Sequence, residues 1–283
     1  MKFNELYSDS KYEKPSVTVD AVIFRLQDIE QKNYRKLPEK KLQVYLTKRT
    51  YGPYKDKYSV VGTFIDLNFE LNESMKFCVQ KKVSLERNYY YEQLFTFGNK
   101  DRDPRNRVLS VSYMLLTNND TKVQNGEWFN ISLSSEIVKH EVTKQNVVLI
   151  KQYKLTLYND NCTLNNTIEV KIIKSGIEEQ KEVNIKQTDL AFDHANIIFY
   201  AMERLKNKLE YTDIIFHLLP NTFTLTELKN SYETILGEKL LDANFRRKVS
   251  KMVKPTQSYV TGKGHRSSQM FEHNPFWKYT NIG

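Results

Sequence analysis

The sequence predicts an α+β protein with a strand-rich first two thirds and a helical, strongly basic last third. Three observations support this. β-branched runs recur at Val17 to Leu26, Leu42 to Lys48, Val108 to Leu116 and again between residues 126 and 186. From Asp189 onward the apolar residues switch to helical spacing. The charge is also uneven: the chain carries +9 overall, and Lys239 to Met270 hold eight Lys or Arg against one Asp. A local surplus of that kind suits an acidic partner.

At 283 residues the chain can form two ordinary domains. A hydrophobic content of 40% with 18 tyrosines is that of a folded protein. Cys78 and Cys162 provide neither a disulfide framework nor a metal spacing, which suits a reducing compartment. The first residues contain no long apolar run, so the expected location is cytoplasmic, without membrane association.

Val17 to Leu26 is a strand candidate, and Leu42 to Lys48 alternates as a paired strand would, with a Lys-, Glu- and Gln-rich loop between them. Gly62 to Leu85 (GTFIDLNFELNESMKFCVQKKVSL) reads as a strand, a sharp glycine turn, a loop and a helix. This stretch resembles the Nudix box, the loop-helix in which a family of diphosphate hydrolases holds magnesium. Started at Thr63, the box lays onto the sequence without a gap. Val79 and Leu85 keep its apolar anchors. Phe69 replaces the first glutamate, Phe77 the arginine, and Cys78, Lys81 and Lys82 the three helical glutamates. Magnesium wants oxygen ligands, usually carboxylates. Exchanging three carboxylates for a thiol and two ammonium groups turns about −3 into about +2. No metal and no cofactor is therefore expected, and Lys81 and Lys82 become candidates for holding a phosphate-bearing ligand. The alternative is that both are solvated helix charges.

Asp101 to Leu116 (DRDPRNRVLSVSYMLL) is similar to a segment of the Nudix-related transcriptional regulators of NAD metabolism and their sugar-responsive relatives. Asp103-Pro104 starts a turn, and Arg102, Arg105 and Arg107 cluster before the strand. In the hydrolases this edge borders the substrate, so the resemblance makes these arginines candidate ligand contacts. They could equally pair with Asp101 and Asp103. EWFNISL, NVVLIKQYKLTLYN and TIEVKIIK, between residues 126 and 186, read as strands of an extension. Asn161 to Thr163 and Asn165 to Thr167 fit glycosylation patterns but read as turns in a chain without a secretory signal.

Asp189 to Leu209 has apolar residues at 192, 195, 198, 199, 202 and 205, widened almost all round by Ile197, Tyr200 and Ala201. A helix of that kind is buried on most faces. Its DLAFDHA start resembles the linker helix of the same regulators, and His194 within it reads as a packed or capping group. Tyr211 to Leu219 reads as a further short helix. Thr224 and Glu227 form a capping box, Phe223 can staple onto Leu228, and Gly237 stops the helix. Asp242 can cap a second helix. There Phe245, Val249, Met252 and Val253 form one stripe, and Asn244, Arg247, Lys248 and Lys251 the opposite one, with Arg246 beside it. Such groups bond base edges and phosphates in a major groove. Strand candidates Gln257 to Val260 and Gln269 to Phe271 flank a basic hairpin with Lys263, His265 and Arg266, which completes the outline of a winged helix. Helix, turn, helix and wing resemble the DNA-binding end of those regulators.

The resemblance implies a Nudix-like mixed-sheet α/β/α sandwich at 1–187, with a β extension over about 132–187. Linker helices at 188–220 and a winged helix at 221–275 would follow. It implies a homodimer that binds double-stranded DNA and senses ADP-ribose, a related NAD metabolite or a sugar. One alternative is an active Nudix hydrolase drawing metal ligands from Glu70, Glu73 and Glu86, although Glu73 and Glu86 would stand roughly 20 Å apart on one helix. Another is a basic module that binds RNA or a different acidic partner.

Overall fold

The computed structural model describes residues 13–29, 38–85, 89–118, 122–260 and 267–278. A ten-stranded mixed sheet dominates it. Its central strands are β1 (Ser16–Ile29) and β6 (Val108–Leu116), paired in parallel from Ser16↔Val108 to Phe24↔Leu116. β5 (Tyr90–Phe97) forms one edge, next to β6. On the other side follow β2 (Glu39–Lys48), β7 (Glu127–Val142), β8 (Asn146–Tyr158), β9 (Thr163–Ser175) and the edge strand β10 (Glu178–Thr188), all antiparallel. Short strands β3 (Tyr58–Ser59) and β4 (Val61–Phe64) pair with β2 and β1.

The two-residue period of β1 builds the layers. Val19, Ala21 and Ile23 face α1 (Leu71–Val83), where Met75, Cys78, Val79 and Val83 cover them. Val22, Phe24 and Leu26 face the opposite way, toward α2 (His194–Tyr211). The sheet therefore carries a helix on each face, as the resemblance implies. The α2-side core runs without interruption into Phe223, Leu228, Tyr232, Phe245 and Val249 of the C-terminal part.

Several local expectations are corrected. Gly62 lies in strand β4 rather than in a turn, paired with Asp20. A β-carbon there would stand 1.9 Å from the Asp20 carboxylate, so close approach, not turn geometry, requires the glycine. The turn-forming position is Ser84, where the box pattern has its own glycine. It is left-handed at φ 55° and closes α1 with an N–H bond to the Gln80 carbonyl. Leu85 is buried just beyond the helix, not in it.

The extension is larger than the sequence suggests. β7 runs on to Val142, and β10 is a strand whose Glu/Lys-rich sequence masks its alternation. Among the described residues only its neighbour β9 pairs with it, and charges are common on such an exposed edge. Asn165 to Thr167 lies within β9, not in a turn. Buried Asn166 spans two strands, donating to the Leu155 carbonyl and accepting from Thr188 Oγ1.

α2 starts at His194, five residues later than the spacing suggests, and is buried on most sides. A 3₁₀ segment, Ile214–Leu218, leads to β11 (Thr222–Thr224), a strand the sequence did not reveal. α3 (Leu225–Leu236) begins with the Thr224–Glu227 capping box and ends at left-handed Gly237. α4 (Asp242–Val249) is capped by Leu241 instead of Asp242, whose carboxylate pairs with Lys229. β12 (Val253–Val260) and β13 (Ser268–His273) join β11 in a three-stranded sheet ordered β11-β13-β12. No helix of the described residues is long and apolar enough to cross a membrane.

Candidate ligand cleft and recognition helix

A cleft of about 430 Å³ opens where β1, β4, the end of α1, the Arg102–Arg105 loop and the start of α2 meet. Five cations line it, Lys48, Arg49, Lys82, Arg102 and Arg105, against the carboxylates of Asp20 and Asp103. Lys82, in the last turn of α1, donates to the Gly62 carbonyl at the rim. Arg105, nearly half exposed, forms a fork with Asp103 at 3.0 and 2.7 Å. Burial would raise the Asp103 carboxyl, but hydrogen bonds from Arg105 outweigh it and hold the pKa below the usual range. Arg49 donates to the Pro53 carbonyl, and its guanidinium lies 4.8 Å from the centre of the Phe192 ring. Burial, then the neighbouring Arg105 charge, lowers its pKa.

Arg102 is almost wholly buried. Its Nε and Nη2 donate to Asp193 at 3.0 and 2.8 Å, and Nη2 stands 3.7 Å from Asp20. Asp20 is also buried. Burial raises its pKa, opposed by a 2.5 Å hydrogen bond from Ser110 Oγ and by the charge of Arg102. His194 accepts the Val60 N–H on Nδ1 at 3.2 Å. Burial lowers its pKa to about 3, so it is a neutral packed group that ties α2 to the β3–β4 connection.

The structure thus brings Lys82, Arg102 and Arg105 into one cleft. Lys81 lies outside it, exposed, with its ammonium 5.4 Å from the Phe77 ring. Consecutive residues of a helix point about 100° apart, so only one of the two lysines can face the cleft. Arg107 is exposed and also outside it; its carbonyl accepts the Ser16 N–H where β1 and β6 begin to pair. Sequence reasoning missed Arg49, Asp20 and Phe192 as cleft residues. A buried aspartate in an otherwise apolar strand was the one available signal.

The residues of the box do not fit a divalent cation. Cys78 points into the α1 core, where burial pushes its thiol up to about 11. Phe69 and Phe77 pack edge to face on the outer surface, 5.4 Å apart. Glu70 and Glu73 are engaged in the capping box of α1, and Glu86 lies outside the described residues. Among the described residues no three Asp, Glu, His or Cys side chains group as metal ligands.

On α4 the apolar face is buried through Phe245 and Val249, while Asn244, Arg246 and Arg247 are exposed. Arg247 Nη2 donates to Asn244 Oδ1 at 3.4 Å. Lys248 is half buried, its ammonium 5.2 Å from the Tyr232 ring, and burial lowers its pKa. Lys251 is exposed but follows the helix, in the turn before β12. Among the described residues Arg246, Arg247 and Lys251 make no salt bridge, so their charges face solvent. Lys263, His265 and Arg266 lie outside the described residues.

Among the described residues, then, a cationic cleft on the sheet is joined through α2 to a helix whose exposed Arg246, Arg247 and nearby Lys251 make no salt bridge, the arrangement expected of a ligand-responsive DNA-binding protein. The family model described as the NrtR DNA-binding winged helix domain matches residues 215–272. A curated relative, the ADPR responsive transcriptional repressor NtrR of Acinetobacter baylyi, is 30% identical over 272 residues, covering 94% of this chain and 84% of its own. The chain therefore belongs to the NrtR family of transcriptional regulators. The fold matches Shewanella oneidensis NrtR at 24% identity, with a TM-score of 0.62 over 93% of this chain and 96% of that one. It also matches a MutT/nudix family protein from Enterococcus faecalis at 21% identity, TM-score 0.62, over 96% and 95%.

Proposed function

We propose that this chain is a cytoplasmic, homodimeric transcriptional repressor whose cleft binds ADP-ribose or a closely related NAD metabolite without hydrolysing it, and whose winged helix binds operator DNA. The carrying observation is Lys82: an ammonium lines the cleft where the hydrolase pattern has a metal-binding glutamate. With Arg49 and Arg105 it offers cations to a diphosphate directly, with no metal between them. A neutral sugar would leave that charge without a partner, which favours the phosphorylated effector. The naming of the Acinetobacter relative as an ADPR responsive repressor supports the same ligand.

On the DNA side, Asn244, Arg246, Arg247 and Lys251 would contact bases and phosphates, with Lys248 at the edge of that face. Lys263, His265 and Arg266 would extend it along the wing. Two copies would place two α4 helices on half-sites about one helical turn apart.

Gel shifts on DNA from around the protein's own gene test this reading. The sequence-specific complex forms without effector and weakens with ADP-ribose but not with free ribose. Turnover of ADP-ribose with magnesium at ordinary enzyme rates would refute the non-catalytic part, and equal affinity for random duplex would refute the regulatory part.

A further inference from the structure

Asp193 occupies the N-cap position of α2 without doing the work of a cap. Aspartate is among the best residues for that position, because its carboxylate can accept the N–H of the second or third helical residue. Here it makes no such bond, and its backbone sits at φ −95°, ψ 22°, outside the extended region that N-caps adopt. The carboxylate instead spends both oxygens on the buried Arg102. Its flanks are fixed: the Ala191 N–H binds the Tyr58 carbonyl, and His194 binds the Val60 N–H. Between them Phe192 is held left-handed at φ 53°, an unfavourable conformation for an aromatic residue, with its ring near the guanidinium groups of Arg49 and Arg105.

Arg102 lines the cleft and already has two carboxylates competing for it, Asp193 and Asp20. A phosphate entering the cleft adds a third, more highly charged acceptor. We propose that Arg102 and Asp193 form the switch between cleft and DNA-binding domain: a ligand anion takes Arg102, and Asp193 turns back to cap α2 on the N–H of Ala195 or Asn196. Capping requires the backbone at Asp193 to move to the extended region, which changes how the chain enters α2. That helix is 18 residues long, and its apolar side belongs to the core that continues into α3 and α4. A change at its first turn is thereby passed to the winged helix. This inference rests on the anion-binding reading of the cleft but concerns the transmission, not the binding.

Three variants separate a switch from a static brace. Asp193→Asn and Asp193→Ser can cap α2 but cannot form the charged fork, whereas Asp193→Ala can do neither. Without effector, the Asn and Ser variants should bind operator DNA about fivefold more weakly than the Ala variant, the equivalent of an N-cap's worth of about 1 kcal/mol. Added ADP-ribose should then weaken their DNA binding less than it weakens the unsubstituted protein's. Equal effector-free DNA affinity of all three variants would overturn the proposal, and so would an ADP-ribose effect undiminished in the Asn and Ser variants. Calorimetry on the unsubstituted chain keeps the two readings apart. If ADP-ribose does not bind, the ligand reading fails, and the effector-free comparison of the three variants still decides the switch.

Discussion

His194 makes a sharp prediction because its chemistry is fully buried. The neutral ring accepts the Val60 N–H, and burial lowers its pKa from 6.5 to about 3. In the unfolded chain the ring takes up a proton near pH 6.5, whereas in the native protein it does not until about pH 3. The unfolded state therefore binds more protons throughout that window, and stability falls as pH falls through it. Between pH 7 and pH 5 this single group removes about 2 kcal/mol, at 1.36 kcal/mol per pH unit below the unfolded value. The assay is chemical denaturation at both pH values for the unsubstituted protein and for His194→Gln, which keeps an acceptor but has no titrating ring. Other groups, including His217 and His273 with their own lowered pKa values, contribute equally to both proteins and cancel in the difference. The variant should be less stable at pH 7 and should lose about 2 kcal/mol less on going to pH 5. Identical losses in the two proteins would show that His194 is solvated or charged in the folded state and would refute the reasoning.

Three further outcomes are expected. Lys82→Glu restores the carboxylate of the box pattern but places like charge beside a diphosphate, so ADP-ribose affinity measured by calorimetry should fall at least tenfold, a loss of about 1.4 kcal/mol. Arg247→Ala should weaken operator binding and, where Arg247 contacts a phosphate, reduce the slope of log affinity against log salt by about 0.9, with the thermal transition unchanged. Gly62→Ala puts a methyl group into the Asp20 carboxylate and should cost about 1–3 kcal/mol by denaturant titration, the usual range for overpacking.

What local chemistry specifies, the sequence alone determined. The β-branched run of β1, the apolar girth of α2, the Thr224–Glu227 box and the stop at Gly237 are all written within a few residues and are found in place. The two faces expected of α4 hold only as far as Val249: Lys251, Met252 and Val253, expected on the helix, follow it, and Lys248, expected on the basic face, packs its ammonium over Tyr232. The cleft is different, because its residues meet through strand register and not through proximity in the chain. Parallel pairing of β1 with β6 puts Ser110 beside Asp20, 90 residues away. Register between β1 and β4 puts Gly62 against the same carboxylate. Only the packing of α2 across the sheet carries Asp193 to Arg102, 91 residues distant. Arg102, which in sequence reads equally as a ligand contact or as a partner of Asp101 or Asp103, is thereby paired with Asp193 and set near Asp20 instead. Long-range pairings of this kind leave no periodic trace in the chain, so tertiary structure alone decided which cations line the cleft and which of them reach the helix leading to the C-terminal part.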